Sequence, residues 1–138
     1  MNSSRGRVFA TTPLFMVADL NRSVRFYCEV LGFHNPGYWG EPPCFAIVNR
    51  DNFDLMLKLA ASPDQIRPQG MFSEWDLHIR VSDVESEREC ITARGVKLAS
   101  EMCVTEYGMK EIEVLDPDGY RICLGQDLDR RPEDQSCT

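Results

Sequence analysis

The fold follows from one stretch, Val114-Leu115-Asp116-Pro117-Asp118-Gly119-Tyr120-Arg121-Ile122-Cys123-Leu124, in which two short apolar segments flank a turn. Proline fixes φ and glycine tolerates positive φ, so we expect the chain to reverse here and to pair the two segments as a β-hairpin. Residues 48–57 repeat the pattern, with Asp51-Asn52 in place of Asp118-Gly119. The second turn residues stand at positions 52 and 119, which are 67 residues apart. We therefore predict two related hairpins.

A second repeat lies upstream of each hairpin. Val17-Ala18-Asp19-Leu20 precedes a helix-like run that ends at Gly32, and Val81-Ser82-Asp83-Val84 precedes one that ends at Gly95. The two aspartates stand 64 residues apart, and each can cap a helix that its glycine then ends. Two matches at nearly one spacing predict a duplicated unit of strand, helix and three strands. The fold class is thus α+β, built of two tandem βαβββ modules.

These repeats also divide the chain. We expect a disordered N-terminus at residues 1–7, one domain at 8–126 and a flexible tail at 127–138. The modules take residues 8–60 and 75–126, and a proline-containing linker takes 61–74. Residues 34–43 are dense in turn formers and predict a loop. A short strand is predicted at 97–100, followed by a loop at 101–108.

Composition limits the class of protein. The 138 residues fit one domain, and 43% hydrophobic content is enough for a core. No run of about 18 apolar residues and no signal-peptide pattern occurs, so we expect a cytoplasmic protein without a membrane span. A net charge of −7 disfavours nucleic acid and anionic membranes as partners. The six cysteines form no Cys-x-x-Cys pair, and we interpret them as reduced thiols, mostly in the core.

Two motifs carry a resemblance to a known family. They are Val17-x-Asp19-Leu20-x-Arg22-Ser23-x-x-Phe26-Tyr27-x-x-x-Leu31-Gly32-Phe33 and Asp116-Pro117-Asp118-Gly119-Tyr120-x-Ile122. Together, inside a duplicated unit, they resemble the vicinal oxygen chelate superfamily of glyoxalase I, extradiol dioxygenases and bleomycin-resistance proteins. The resemblance covers residues 8–126. It implies two βαβββ modules whose curled mixed sheets form a shared cleft, in a chain that pairs as a homodimer.

Metalloenzymes of this superfamily hold their ion at four quasi-symmetric strand positions. The resemblance carries these positions to Thr12, Met56, Asp76 and Cys123, which we expect to lie close together. Only Asp76 is a good ligand for a hard divalent ion, so we expect no metal, no other cofactor and no catalytic residue. An alternative site could combine Asp76 and His78 with a carboxylate, either Glu111 or Glu113, which share one face of their strand.

Without metal, the chain is most similar to bleomycin-resistance proteins, which sequester a cationic aromatic drug. We therefore predict a protein that binds an organic small molecule, such as a cationic aromatic antibiotic. Aromatic platforms and charges suit such a ligand, and the cleft-facing positions complete the set. The predicted ligand-binding residues are Tyr38, Trp39, Phe45, Asp54, Met56, Asp76, His78, Tyr107 and Cys123.

Three alternatives stay open at this stage. Trp39 and Phe45 could instead plug the mouth of the cleft or a dimer seam. The chain could be a lyase, isomerase or dioxygenase-like enzyme with a non-standard metal site or with metal-independent chemistry. It could also be an interaction domain whose cleft is packed shut. Asp54, Lys58, His78, Arg80 and Arg121 share the cleft-facing sides of their strands, so the pocket is predicted to be mixed in charge.

Overall fold

Two four-stranded mixed sheets make up the protein. The structure is a computed structural model that describes residues 5–129, except for the side chains of residues 70 and 71. The first module runs β1 (Leu14–Val17), α1 (Leu20–Arg25), β2 (His34–Trp39), β3 (Phe45–Arg50) and β4 (Phe53–Leu59). The second runs β5 (Leu77–Arg80), α2 (Val84–Ala93), β6 (Ser100–Val104), β7 (Met109–Leu115) and β8 (Arg121–Asp127).

Strand order is the same in both modules. The first sheet has the order β1-β4-β3-β2 and the second β5-β8-β7-β6. β1 is parallel to β4, and β5 is parallel to β8, while the remaining pairs are antiparallel. Met56 pairs with Leu14, and Cys123 pairs with His78 at the equivalent place. The α+β prediction of two tandem βαβββ modules is confirmed.

Local chemistry explains both hairpins and both helix starts. Gly119 takes a φ of 92°, and Asp51 and Asn52 take φ values of 50° and 70°, so both turns use left-handed backbone. The Asp19 carboxylate accepts a hydrogen bond from the backbone N–H of Arg22 at 3.0 Å. Asp83 accepts one from Ser86 at 3.2 Å. The two aspartates are therefore N-caps, as predicted.

A single core lies between the two sheets and the two helices. Tyr27 and Leu31 follow α1, at a π-helical turn over Phe26–Val30 and its end, and both are fully buried. Val84 and Ile91 bury the inner face of α2. Alternate residues of the strands complete the core, namely Phe15, Val17, Ala46, Val48, Leu55, Leu57, Ile112, Val114, Ile122 and Leu124. The opposite sheet faces remain for function.

Polar contacts join the modules across this core. The Asp118 carboxylate in the β7–β8 turn accepts hydrogen bonds from the Ala18 N–H and the Arg22 guanidinium, both at 3.1 Å. Arg50 in turn donates two hydrogen bonds of 2.8 Å to the Glu87 carboxylate on α2. Tyr120 stacks on Phe15 with ring centroids 4.3 Å apart. Each module therefore holds the turn region of the other.

The predicted loop at residues 34–43 is wrong over its first part, because β2 occupies His34–Trp39. β2 is an edge strand, and its register with β3 shifts between His34 and Gly37. Pro36 falls within this irregular stretch and needs no ladder hydrogen bond there. In the second module, β6 lies at Ser100–Val104 rather than at 97–100. Edge strands carry weak sequence patterns, since only one side is paired.

The prediction that the cysteines are mostly core residues is also wrong. Among the residues that the structure describes, only Cys123 is buried, while Cys44, Cys90 and Cys103 are exposed. Their thiols are free, as expected. β8 includes Asp127, the first residue of the predicted tail. The predictions for residues 1–4 and 130–138 lie outside the described part, within which no helix is long and apolar enough to cross a membrane.

Candidate functional site

The outer face of the second sheet carries an open cavity of about 550 Å³. Its floor comes from β5, β7 and β8, where His78 pairs with Cys123 and Glu111 pairs with Gly125. Side chains alternate along these strands, so the residues that face the cavity lie opposite the core residues. Trp75 and Tyr107 form aromatic walls, and they are 37% and 62% exposed.

Glu111 is the central polar group of the floor. Its residue is only 4% exposed, although it carries a carboxylate. The Tyr107 hydroxyl donates to both carboxylate oxygens, at 2.9 and 3.0 Å, and His78 Nε2 lies 3.4 Å from Oε2. Desolvation, followed by the Glu111 charge, raises the pKa of Tyr107, so the phenol stays a donor. These contacts stabilise a carboxylate that water hardly reaches.

A glycine makes the contact between His78 and Glu111 possible. A Cβ atom at Gly125 would lie 2.9 Å from His78 Nε2 and 2.9 Å from Met109 Cε. Atoms of a real side chain do not approach so closely, so any other residue would displace the imidazole or the methionine. Gly125 is therefore explained by this close approach to His78 and not by a left-handed turn.

A second carboxylate, Glu113, fixes the wall of the cavity. It accepts a hydrogen bond from Trp75 Nε1 at 3.0 Å and pairs with Arg121 at 2.6 Å. The Trp75 ring lies 4.9 Å from the His78 ring, centroid to centroid. Because Glu113 orients Trp75 and Trp75 flanks His78, the wall and the floor form one connected set.

Cys123 lies on the floor beside His78 and is fully buried. Desolvation raises the pKa of its thiol far above the usual range, and the Glu111 and Glu113 charges add to this. A thiol in this state is protonated at neutral pH and is a poor nucleophile. The arrangement by itself therefore supports binding rather than covalent chemistry.

The structure brings only some of the predicted site residues together. His78 and Tyr107 line the cavity, and Cys123 lies on the floor with His78 and Glu111. Trp39 and Phe45 belong to the first sheet, where their rings touch at 5.7 Å. Asp54 accepts a hydrogen bond from Asn49 on that sheet.

Two further predicted residues also lie away from the cavity walls. Met56 pairs with Leu14 on β1, and Tyr38 is 43% exposed on β2. The residues named here as cavity lining all come from the second module or from Trp75 at its start.

Asp76 holds the backbone. Its carboxylate accepts hydrogen bonds from the Gln69 N–H at 2.7 Å and from the Arg121 N–H at 2.8 Å. A carboxylate used in this way is poorly placed to ligate an ion. With Met56 a thioether on the other sheet, the residues at the four superfamily positions do not fit a divalent metal site.

Some residues of the cavity were not predicted as ligand-binding. Trp75 was expected on the face opposite His78, because the alternation was extended to residue 75. β5 begins only at Leu77, so this alternation does not apply to Trp75. Arg80, Met109 and Asp127 also line the cavity. Their signal was the shared face with His78, Glu111 and Cys123.

Comparison with known proteins agrees with this architecture. The family model of the Glyoxalase/Bleomycin resistance protein/Dioxygenase superfamily matches residues 10–124. The chain belongs to this superfamily. A search of the curated proteins found no match. Solved structures of the superfamily fold, in contrast, match over nearly the whole chain.

Three of these solved structures illustrate the likeness. TnmS3, an antibiotic binding protein from Streptomyces sp. CB03234, is 23% identical with a TM-score of 0.72, covering 89% of this chain and 98% of its own. TioX from Micromonospora sp. ML1 is 18% identical with a TM-score of 0.70, covering 85% and 97%. A superfamily protein from Nocardioides is 22% identical with a TM-score of 0.67, covering 92% and 88%. At these identities the likeness shows the fold alone.

Proposed function

We propose that this superfamily member binds and sequesters a small organic molecule with an aromatic group in the cavity of the second sheet. The observation that carries the proposal is an open cavity of about 550 Å³ with Trp75 and Tyr107 as walls and Glu111 on its floor. This volume falls in the range of small-molecule sites, and aromatic walls offer area for a flat ligand. TnmS3, which shares the fold, is described as an antibiotic binding protein, and this supports an antibiotic-like ligand.

The charges of the cavity support a cationic or neutral ligand over an anionic one. Its lining includes two carboxylates, Glu111 and Asp127, and one guanidinium, Arg80. The whole chain carries a net charge of −7. A cation over an aromatic wall gains a further contribution from the ring face.

Sequestration fits the site better than an enzyme built on the superfamily positions. Asp76 and Glu113, two members of the alternative catalytic set, are bonded to backbone N–H groups and to Arg121 with Trp75, respectively. His78 remains, and it faces a carboxylate whose other donor is a phenol. We propose that these groups position a ligand rather than transform it.

A homodimer and a cytoplasmic location complete the proposal. The outer face of the first sheet has exposed apolar side chains, with Leu14 at 48% and Trp39 at 52% exposure. Such a patch suits contact with a second copy, as the superfamily resemblance implies. The free thiols among the described residues suit a reducing compartment.

The two tryptophans of the chain allow a direct test. Trp39→Phe leaves Trp75 as the single fluorophore in the cavity, and Trp75→Phe leaves Trp39 on the first sheet. A panel of aromatic antibiotics, in cationic and neutral pairs, should include compounds that saturably quench Trp75 but not Trp39. A ligand at 100 times its dissociation constant should stabilise the fold by about 2.7 kcal/mol. Quenching of Trp39 alone, or no quenching and no stabilisation across the panel, would contradict the proposal.

A further inference from the structure

Three potential metal ligands meet on the floor of the cavity. His78 on β5, Glu111 on β7 and Cys123 on β8 each offer one ligand atom, and these atoms all lie within 4.8 Å of one another. The three strands are hydrogen-bonded neighbours in the sheet, so the backbone spacing holds the set in place. The side of the set away from the sheet faces the open cavity, which His78 and Glu111 line.

The donor types suit a borderline-soft divalent ion. Imidazole nitrogen, thiolate sulfur and carboxylate oxygen are the three ligand classes that zinc takes in proteins. Two nitrogen or oxygen ligands on a tetrahedral zinc ion, at about 2.0–2.1 Å each, stand about 3.3 Å apart. His78 Nε2 and Glu111 Oε2 are 3.4 Å apart. Two of the three ligands thus already have the required spacing, and the sulfur has to approach by about 1 Å.

The surroundings also fit a metal centre. Tyr107 donates to both Glu111 oxygens, so it can keep one of them when the other ligates an ion. Outer hydrogen bonds of this kind orient ligating carboxylates. Gly125 leaves the room that the His78 imidazole occupies above β8. Each ligand therefore has a stated reason for its position.

Electrostatics gives a separate argument. Glu111 and Cys123 are both buried, and Glu113 lies on the same face of the sheet. In the absence of an ion, burial and the neighbouring carboxylates oppose ionisation of the thiol. A divalent cation would reverse that balance, because it attracts both anionic ligands and releases the thiol proton to solvent.

We propose that the protein binds one zinc ion through His78 Nε2, a Glu111 carboxylate oxygen and Cys123 Sγ, with the fourth position open to the cavity. Of these ligands only Cys123 stands at one of the four superfamily positions, so the site is confined to the second sheet. A bound ion cancels the negative charge of the floor, and the metal-loaded cavity loses its preference for cations. Zinc therefore changes which organic ligands the cavity accepts.

Cobalt(II) provides a spectroscopic test that needs no organic ligand. Titration of the metal-free protein with Co²⁺ should produce one thiolate-to-cobalt charge-transfer band per chain, and Zn²⁺ should displace it. The band should disappear in Cys123→Ser and persist in Cys103→Ser, a control in which an exposed cysteine of β6 is replaced. Binding should also release a proton and tighten as pH rises.

Two further variants separate ligation from folding. His78→Ala should keep the unfolding transition of the wild type but bind Zn²⁺ at least 100-fold more weakly. Tyr107→Phe should weaken zinc binding about 10–100-fold, as expected for an outer-sphere residue. A band that persists in Cys123→Ser, or equal zinc affinity in folded His78→Ala, would overturn the proposal. Organic-ligand binding by the chelated protein is measured separately, so the two proposals fail independently.

Discussion

Tyr27 and Asp116 lie in different modules and are joined by a buried hydrogen bond. The Tyr27 hydroxyl donates to Asp116 Oδ2 at 2.7 Å, 89 residues away in the sequence. The other oxygen of Asp116 accepts the backbone N–H groups of Asp118 and Tyr120, each at 2.9 Å. This carboxylate therefore fixes its own turn and attaches that turn to the first module.

Removing the phenol should destabilise the fold. Tyr27→Phe leaves Asp116 Oδ2 buried without its donor, so we expect a loss of about 1–3 kcal/mol in the free energy of unfolding. Urea denaturation measures it. Tyr38→Phe, at an exposed tyrosine, is the control and should change little. Equal effects of the two substitutions would contradict the role assigned to the bond.

Asp116 should also make stability depend on pH. Burial raises its pKa from 3.8 to about 6, against the effect of its hydrogen bonds and with a smaller contribution from the Asp118 charge. Since the folded state binds this proton more tightly than the unfolded state, the contribution is present below about pH 4 and is lost as pH rises through about 6. Each pKa unit is worth about 1.4 kcal/mol, so the change is about 3 kcal/mol.

The matched variant for this effect is Asp116→Asn, which does not titrate. The difference in unfolding free energy, wild type minus variant, should increase as pH falls from 7 to 4. Chemical denaturation at several pH values measures this difference. A constant difference, or one that increases with pH, would show that burial does not dominate at this carboxyl.

Gly125→Ala tests the close approach of His78. The new Cβ would lie 2.9 Å from His78 Nε2 and Met109 Cε, so we expect a cost of about 1–3 kcal/mol and weaker ligand binding by the cavity. In a His78→Ala background the same substitution should cost less, because one of the two obstructing groups is gone. Urea denaturation of the four proteins gives the coupling energy. A coupling of zero would place the obstruction elsewhere.

Arg50 provides a test of the contact between modules. Its guanidinium donates to the Leu31 carbonyl and to both Glu87 oxygens, all at 2.8 Å, and its side chain is 23% exposed. Lysine cannot make the paired hydrogen bonds, so Arg50→Lys should cost about 1–2 kcal/mol of stability. Arg25→Lys, at an exposed position of α1, should cost less than half as much. Equal costs would rule out the bidentate pairing as the cause.

The proposed homodimer can be tested through the first sheet. Met56→Glu puts a charge on the outer face of that sheet and should shift the protein towards monomer, as measured by light scattering after gel filtration. Phe53→Glu is the control, because Phe53 is exposed at the end of the same strand and on its opposite side. A wild type that is monomeric at micromolar concentration would contradict the dimer.

The repeat pattern and turn chemistry were enough to predict the modules, because hairpins and helix caps depend on local residues such as Asp19 and Gly119. β2 was missed, since an edge strand that tolerates Pro36 has no alternating apolar face. In the cavity, His78 and Tyr107 could be named from alternation and loop equivalence. Asp76 could not be assigned its backbone contacts from sequence, because its partners, Gln69 and Arg121, are set by tertiary structure.

The two ion pairs between the modules have opposite polarity. In one, the turn supplies the acid, Asp118, and helix α1 supplies the base, Arg22. In the other, the base Arg50 precedes the turn, and helix α2 supplies the acid, Glu87. Two copies of the first half would bring arginine against arginine, and two copies of the second half would bring carboxylate against carboxylate. The duplicated halves have thus diverged into complementary partners, each of which discriminates against its own kind.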